Sequence, residues 1–187
     1  MNPTLAYTLL AAQTLYWLYY LWQRRPRPAR DDSALLLLYA SQGGQAETLA
    51  NHLAASLNTR AESLDAWHAH HPLKMLGGKT LILIASTTGD GDPPDNASRF
   101  TRSLQKSGAA LTDTRYHLLA LGDKRYPHYC AYGHLLDQEL ERLGATRESP
   151  VTTVDNLDPQ TIAYWQNQLG EHLQTALDVP AQPPSVT

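Results

Sequence analysis

Three apolar runs, Ala34 to Ala40, Thr80 to Ala85 and Tyr116 to Ala120, each pass directly into a loop of small and polar residues. Runs this short and this continuous read as strands buried on both faces, the pattern of a parallel sheet. The stretches between them carry helical apolar spacing. Leu49, Ala50, Leu53, Ala54 and Leu57 mark a helix over Glu47 to Leu57, and Ala97, Phe100 and Leu104 mark one over Asn96 to Lys106. Two further helices are predicted: Ala131 to Leu143, stopped by Gly144, and Thr161 to Leu177 with Ile162, Trp165, Leu169, Leu173 and Leu177 inward. Ala61 to Ala66 is a weak second strand and Arg147 to Val154 a more polar fifth. Strands alternating with helices predict an α/β doubly wound, five-stranded parallel sheet over residues 34–178. The three loops then leave one carboxyl edge of the sheet, where open α/β sheets bind ligands.

The residues before this region have a different character. Leu5 to Trp22 carries no charge, and at ~1.5 Å per residue such a run spans roughly 27 Å as a helix, about the hydrocarbon thickness. Tyr16, Trp17, Tyr19, Tyr20 and Trp22 crowd its end, and Arg24, Arg25, Arg27 and Arg30 come directly after. An aromatic belt and then positive charge predict a single-pass anchor over residues 1–23, with the globular region on the cytoplasmic side of the cytoplasmic (inner) membrane. A helix lying in the membrane interface is the alternative, since Thr8, Gln13 and Thr14 dilute the apolar run. Residues 24–33, basic with Pro26 and Pro28, read as a linker, and residues 179–187 as a flexible, proline-rich tail. Removing the four arginines from the formal charge of −3 leaves −7 on the remainder. An acidic body argues against a nucleic-acid partner and for a basic protein partner, or for no charged partner at all. One cysteine, Cys130, excludes an intrachain disulfide and a cysteine-rich metal site.

The first loop is Ser41-Gln42-Gly43-Gly44-Gln45-Ala46-Glu47. Glycines at a strand-to-helix turn let the backbone approach a ligand, and the helix amides beyond them form an anion cradle suited to phosphate. An ordinary strand-to-helix turn uses the same residues. The loop is neither a Walker loop nor a dinucleotide fingerprint. The second loop, Ser86-Thr87-Thr88-Gly89-Asp90-Gly91-Asp92-Pro93-Pro94, spaces its carboxylates like a calcium loop, but Pro93-Pro94 prevents that geometry. Asp95 or Asn96 is expected to cap the helix after it. In the third loop, Leu121-Gly122-Asp123-Lys124-Arg125-Tyr126, an aromatic at a sheet edge can stack on a flat heterocycle; a core tyrosine is the plain alternative.

Together, in this order and spacing, the three segments resemble the FMN-binding loops of the flavodoxin-like domain in diflavin reductases. That group includes the flavoprotein subunit of sulfite reductase and the membrane-anchored NADPH–haemoprotein reductases. The likeness covers about Leu35 to Leu177 and continues from Leu121 through Tyr126, Tyr129 and Cys130 to Asp137. It implies strand order 2-1-3-4-5, with FMN where the order reverses, a rule for which flavodoxin is itself the standard example. By matching positions, Ser41, Gln42, Gly43, Gly44, Gln45 and Ala46 would surround the FMN phosphate. Thr87, Thr88, Gly89, Asp90 and Gly91 would cover one ring face and Tyr126 the other. Leu121, Gly122, Asp123, Tyr129 and Cys130 would complete the pocket, and Asp155 would lie near the isoalloxazine. Gly43 stands where relatives usually carry threonine, Gln45 replaces a small polar residue, and Thr88 replaces a second stacking tyrosine of the haemoprotein reductases.

No residue is poised as a nucleophile, general base or metal ligand. Cys130 reads as a small buried hydrophobe, and His68, His70 and His71 as a solvated loop. Asp90, Asp92, Asp95 and Asp123 are expected to surround the flavin with negative charge. The implied function is a membrane-tethered FMN electron carrier, more a reductase component than a stand-alone enzyme. It would take single electrons from a separate FAD- and NAD(P)H-dependent reductase and pass them to a haem or iron–sulfur acceptor. An FMN-dependent NAD(P)H:quinone oxidoreductase and a flavodoxin-like interaction module without FMN are the alternatives.

Overall fold

Each predicted apolar run becomes an inner strand of one parallel sheet in the computed structural model of the chain, which describes residues 34–178. The elements are β1 (Leu35–Ala40), α1 (Gln45–Ser56), β2 (Ala61–Ser63), α2 (Leu64–His68), β3 (Thr80–Ser86), α3 (Ser98–Lys106), β4 (Arg115–Gly122), α4 (Ala131–Arg142), β5 (Thr146–Arg147), β6 (Thr152–Asp155) and α5 (Pro159–Asp178). Short 3-10 turns occupy Leu73–Leu76 and Asp95–Ala97. The strands lie in the order β2-β1-β3-β4-β5, with β6 also beside β4, and every ladder is parallel. This is the flavodoxin-like order 2-1-3-4-5.

Register explains the unbroken apolar runs. Leu37 lies beside Ile82 and Leu38 beside Leu83, and Leu83 beside Leu118. Alternate residues then feed two separate cores. Leu36, Leu38, Leu81, Leu83, Tyr116 and Leu118 pack with Trp67, Phe100, Leu104, Tyr132 and Leu136 under α2, α3 and α4. Leu37, Ile82, Ile84, Leu119 and Leu121 pack with Ala50, Leu53, Trp165 and Leu169 under α1 and α5.

Three local departures from the sequence expectations have clear causes. The second strand stops at Ser63 because the Ser63 hydroxyl accepts the Ala66 N–H at 3.3 Å, capping the one-turn helix α2. The fifth strand is split into β5 and β6: Arg147 pairs with Tyr116, whereas Thr152 pairs with Leu119, so the outer chain carries extra residues around Pro150. Proline lacks the ladder donor and tolerates such an edge bulge. Helix α3 is capped neither by Asp95 nor by Asn96. The Asp65 carboxylate, from α2, accepts the N–H groups of Phe100 at 2.8 Å and Arg99 at 3.2 Å.

The predicted anchor, linker and tail (residues 1–23, 24–33 and 179–187) lie outside the described residues. Among the described residues, no helix is long and apolar enough to cross a membrane.

Candidate functional site

At the carboxyl edge, β1, β3 and β4 release the three loops side by side. The first loop turns through Gly44, at φ +80°, into α1. The leading N–H groups of a helix have no partner within it, so the start of α1 offers donors and the positive end of its dipole. Ser41 is buried, and its Oγ has no hydrogen-bond partner among the described residues. A buried hydroxyl without a partner is costly unless a ligand completes it. The loop is sewn to the 3-10 turn beyond the second loop. Ser41 N donates to Asn96 Oδ1 at 3.0 Å, Gln42 Nε2 donates to Asp95 Oδ2 at 2.9 Å, and Asp95 N donates to Gln42 Oε1 at 2.9 Å. The Gln42 side chain, expected at a phosphate, is thus committed to Asp95.

The second loop closes on itself. Thr88 N and Oγ1 both donate to Asp92 O, at 3.1 and 3.0 Å, around a turn that uses positive φ at Gly89 and Gly91. Its base is held by Thr87, whose N donates to Leu121 O and whose Oγ1 accepts the Tyr132 N–H at 3.2 Å. Its tip is joined to the third loop by Asp90 Oδ1 and His128 Nε2, 3.4 Å apart.

The third loop folds over Gly122, where an added Cβ would fall 2.8 Å from both the N and Sγ of Cys130. Cys130 is buried at φ +54° and donates its Sγ–H to Ala120 O at 3.3 Å, and burial pushes its thiol pKa up. The cysteine packs the loop and has no nucleophilic setting. Burial likewise raises the Tyr129 phenol. Asp123 is not a free charge: Arg125 Nε donates to it at 2.9 Å, and these side-chain bonds hold its carboxyl below the usual range. Tyr126 is 61% exposed at the tip.

Between these loops lies a cavity of ≈ 490 Å³, within the range of small-molecule sites. Of the residues expected from the sequence, Gln45, Thr87, Gly89, Leu121, Gly122, Asp123, Tyr126, Tyr129 and Cys130 line it. Ser41, Gly43, Gly44 and Ala46 form the cradle beside Gln45 instead, and Thr88, Asp90 and Gly91 form the turn that borders it. Asp155 does not line the cavity: its Oδ1 accepts the Lys124 N–H at 2.9 Å. Ser86, Arg125, His128, Asn156 and Leu157 line it although the motifs do not point to them as ligand contacts. Ser86, Arg125 and His128 lie within or next to the three loops. Nothing local in Asn156-Leu157 announces a site residue, because its role depends on a turn conformation set by contacts distant in sequence.

The three histidines are not one solvated loop: His68 ends α2 and bonds across to α3, His71 packs back on α2, and only His70 is exposed. His68 Nε2 lies 2.8 Å from Ser103 Oγ, and the His71 ring stacks on Trp67 at 5.0 Å.

The flavodoxin family model matches residues 37–164. The chain is 34% identical over 133 residues to the inducible nitric oxide synthase of Gallus gallus, covering 68% of this chain and 11% of that protein. It is 38% identical over 119 residues to the methionine synthase reductase of Bos taurus, covering 60% and 17%. With the sulfite reductase [NADPH] flavoprotein alpha-component of Bacillus subtilis it shares 34% over 143 residues, covering 75% and 24%. The chain therefore spans no more than a quarter of the length of these relatives. Among solved structures, oxidised flavodoxin 1 from Bacillus cereus superposes with a TM-score of 0.62 at 22% identity, over 75% of this chain and 97% of that one. At that identity the likeness speaks for the fold.

Proposed function

The chain belongs to the flavodoxin family, whose members bind FMN, and on that footing we propose that it is a membrane-tethered FMN electron carrier. The observation that carries this reading is the pairing of a glycine-turned helix N-terminus, beside a buried Ser41 hydroxyl without a partner among the described residues, to a cavity walled by Leu121, Tyr126 and Tyr129. That donor set fits a phosphate ester joined to a flat ring. When bound, FMN supplies one-electron transfer. The protein's own residues do the rest. Ser41 Oγ and the α1 amides would hold the anion, Gln45 would lie between it and the cavity, and Tyr126 would offer an aromatic face to the ring. The turn over Thr88 to Asp92 and the third loop, joined through Asp90 and His128, border one side of the cavity.

The uncharged run Leu5 to Trp22 with its trailing arginines supports a cytoplasmic-membrane anchor, with the FMN domain on the cytoplasmic side. A tether confines the carrier near a membrane partner and raises its effective concentration there. Relatives named as a methionine synthase reductase and as an NADPH sulfite reductase flavoprotein support a separate FAD- and NAD(P)H-dependent reductase as donor and a haem or iron–sulfur protein as acceptor.

Titrating FMN into the purified full chain tests the reading. The expected result is a yellow one-to-one complex with quenched flavin fluorescence, reduced quickly by NADPH only when a diflavin-type reductase domain is added. Failure to retain FMN refutes it. Bleaching by NAD(P)H alone, with quinone turnover, replaces the carrier with the oxidoreductase.

A further inference from the structure

The turn after β6 has a backbone that its sequence disfavours. Asn156 and Leu157 take φ +46° and +58° in succession, and Asp158 N donates to Asp155 O at 2.9 Å. Two left-handed central residues make a turn that favours asparagine and glycine, and a bulky leucine there is an outlier. Such strain persists only where neighbours over-determine the backbone, and here they do so at both ends. Asn156 N donates to Gly122 O at 2.8 Å, and Asp155 Oδ1 holds the Lys124 N–H. Asp158 caps α5, its Oδ2 accepting from Thr161 N at 2.8 Å and from Thr161 Oγ1 at 2.6 Å.

What the strained backbone delivers is a side chain at the cavity. Leu157 lines it together with Leu121, Tyr126 and Tyr129, while its other contacts rest on the core under α1 and α5. A glycine would suit the backbone and would open that wall.

We propose that Leu157 is a flavin-contacting wall of the pocket, kept in a left-handed backbone so that its side chain closes the cavity against an apolar part of the ring. The inference rests on the reading of this cavity as an FMN site. Leucine has no donor or acceptor, so it favours the ring over the ribityl phosphate, and riboflavin should depend on it as much as FMN does.

Three variants separate the side chain from the strain: Leu157→Ala removes the wall and keeps the strain, Leu157→Gly removes both, and Asn156→Gly keeps the wall. Dissociation constants for FMN and riboflavin come from fluorescence quenching, and the melting temperature of each apoprotein from circular dichroism. Both Leu157 variants are expected to weaken both flavins by about tenfold, roughly the effect of half a leucine's burial. Leu157→Gly should melt above Leu157→Ala, because glycine relieves the strain that alanine retains. Asn156→Gly should bind as the wild type does. The inference is overturned if both Leu157 variants bind within twofold of wild type, if only FMN and not riboflavin is weakened, or if Leu157→Ala melts at or above Leu157→Gly. A wild-type chain that binds neither flavin refutes the parent reading instead.

Discussion

The adjacent glycines of the first loop should respond to substitution in opposite directions. Gly44 sits at φ +80°, ψ −7°, at the N-cap of α1, where any Cβ is strained. Gly43 lies outside the left-handed region, and a Cβ built on it meets nothing within 4 Å. An alanine in the left-handed region costs about 1–2 kcal/mol. An alanine at a compatible position stabilises by about 0.4–1 kcal/mol, because the unfolded chain loses freedom. In a domain of this size each kcal/mol shifts Tm by about 2–4 °C. Gly44→Ala should therefore melt about 2–8 °C below wild type and Gly43→Ala about 1–4 °C above it. Thermal denaturation of the apoproteins, followed by far-UV circular dichroism, reads both. Gly43→Thr extends the argument to function. It places a hydroxyl at the cradle, and a hydrogen bond to a charged group contributes about 1.5–3 kcal/mol, so FMN should bind about tenfold more tightly or better. Equal shifts for the two alanine variants, or a Gly43→Ala protein that melts lower than wild type, would refute the backbone reasoning. Unchanged FMN affinity in a normally folded Gly43→Thr protein would show that the phosphate does not sit in this cradle.

Ser41→Ala should leave the apoprotein's Tm unchanged or higher, since its buried Oγ has no partner to lose among the described residues, while the FMN dissociation constant rises about tenfold; a fall in apo stability would contradict this. Gly122→Ala drives a Cβ to 2.8 Å from Cys130 N and Sγ, an overpacking that should cost about 1–3 kcal/mol. Adding Cys130→Ala should recover only the part due to sulfur, as measured by urea melts. His117 is buried, with the His172 ring 5.4 Å away, and burial lowers its pKa from 6.5 to about 4. The unfolded chain then binds the proton first, so its contribution is intact above the unfolded value and is lost as pH falls from 6.5 toward 4. Between pH 7 and 5 that loss is about 2 kcal/mol, and His117→Leu should flatten the dependence by that amount in urea melts at the two pH values.

The sheet was legible because its inner strands are buried on both faces, so hydrophobicity alone outlines Leu35–Ala40, Thr80–Ser86 and Arg115–Gly122. The loops were legible for a related reason: a strand that ends in glycine and small polar residues has little else to build there. Edge elements were less so. β2 ends at Ser63 because of a cap, and the last strand breaks near Pro150, and neither event changes the apolar pattern that periodicity reads. Least legible were partners fixed only by tertiary contact. Asp65 caps a helix 34 residues further along, Gln42 meets Asp95 across 53 residues, and Leu157 reaches the cavity through a left-handed turn imposed from Gly122 and Thr161.

Those pairings also change the electrostatics that composition suggests. Counting acidic residues in the loops predicts a flavin ringed by negative charge. In the structure Asp95 is bonded to Gln42, Asp123 to Arg125 and Asp155 to the Lys124 backbone, with Lys124 Nζ 4.0 Å away. Asp90 lies against His128. A carboxylate ion-paired at contact distance, as Asp123 is with Arg125, projects a weakened field, whereas one bonded to a neutral donor, as Asp95 is to Gln42, keeps its charge. Part of the local acidity is therefore used to hold the loops in place, and the rest still faces the cavity edge as charge. Pairing within the chain leaves the net charge unaltered, and so an acidic body would attract a basic partner at long range. The two effects separate by ionic strength. If the carrier reading holds, added salt should slow association with a basic electron-transfer partner steeply, while FMN affinity, on that reading set by short-range contacts inside the cavity, should change far less.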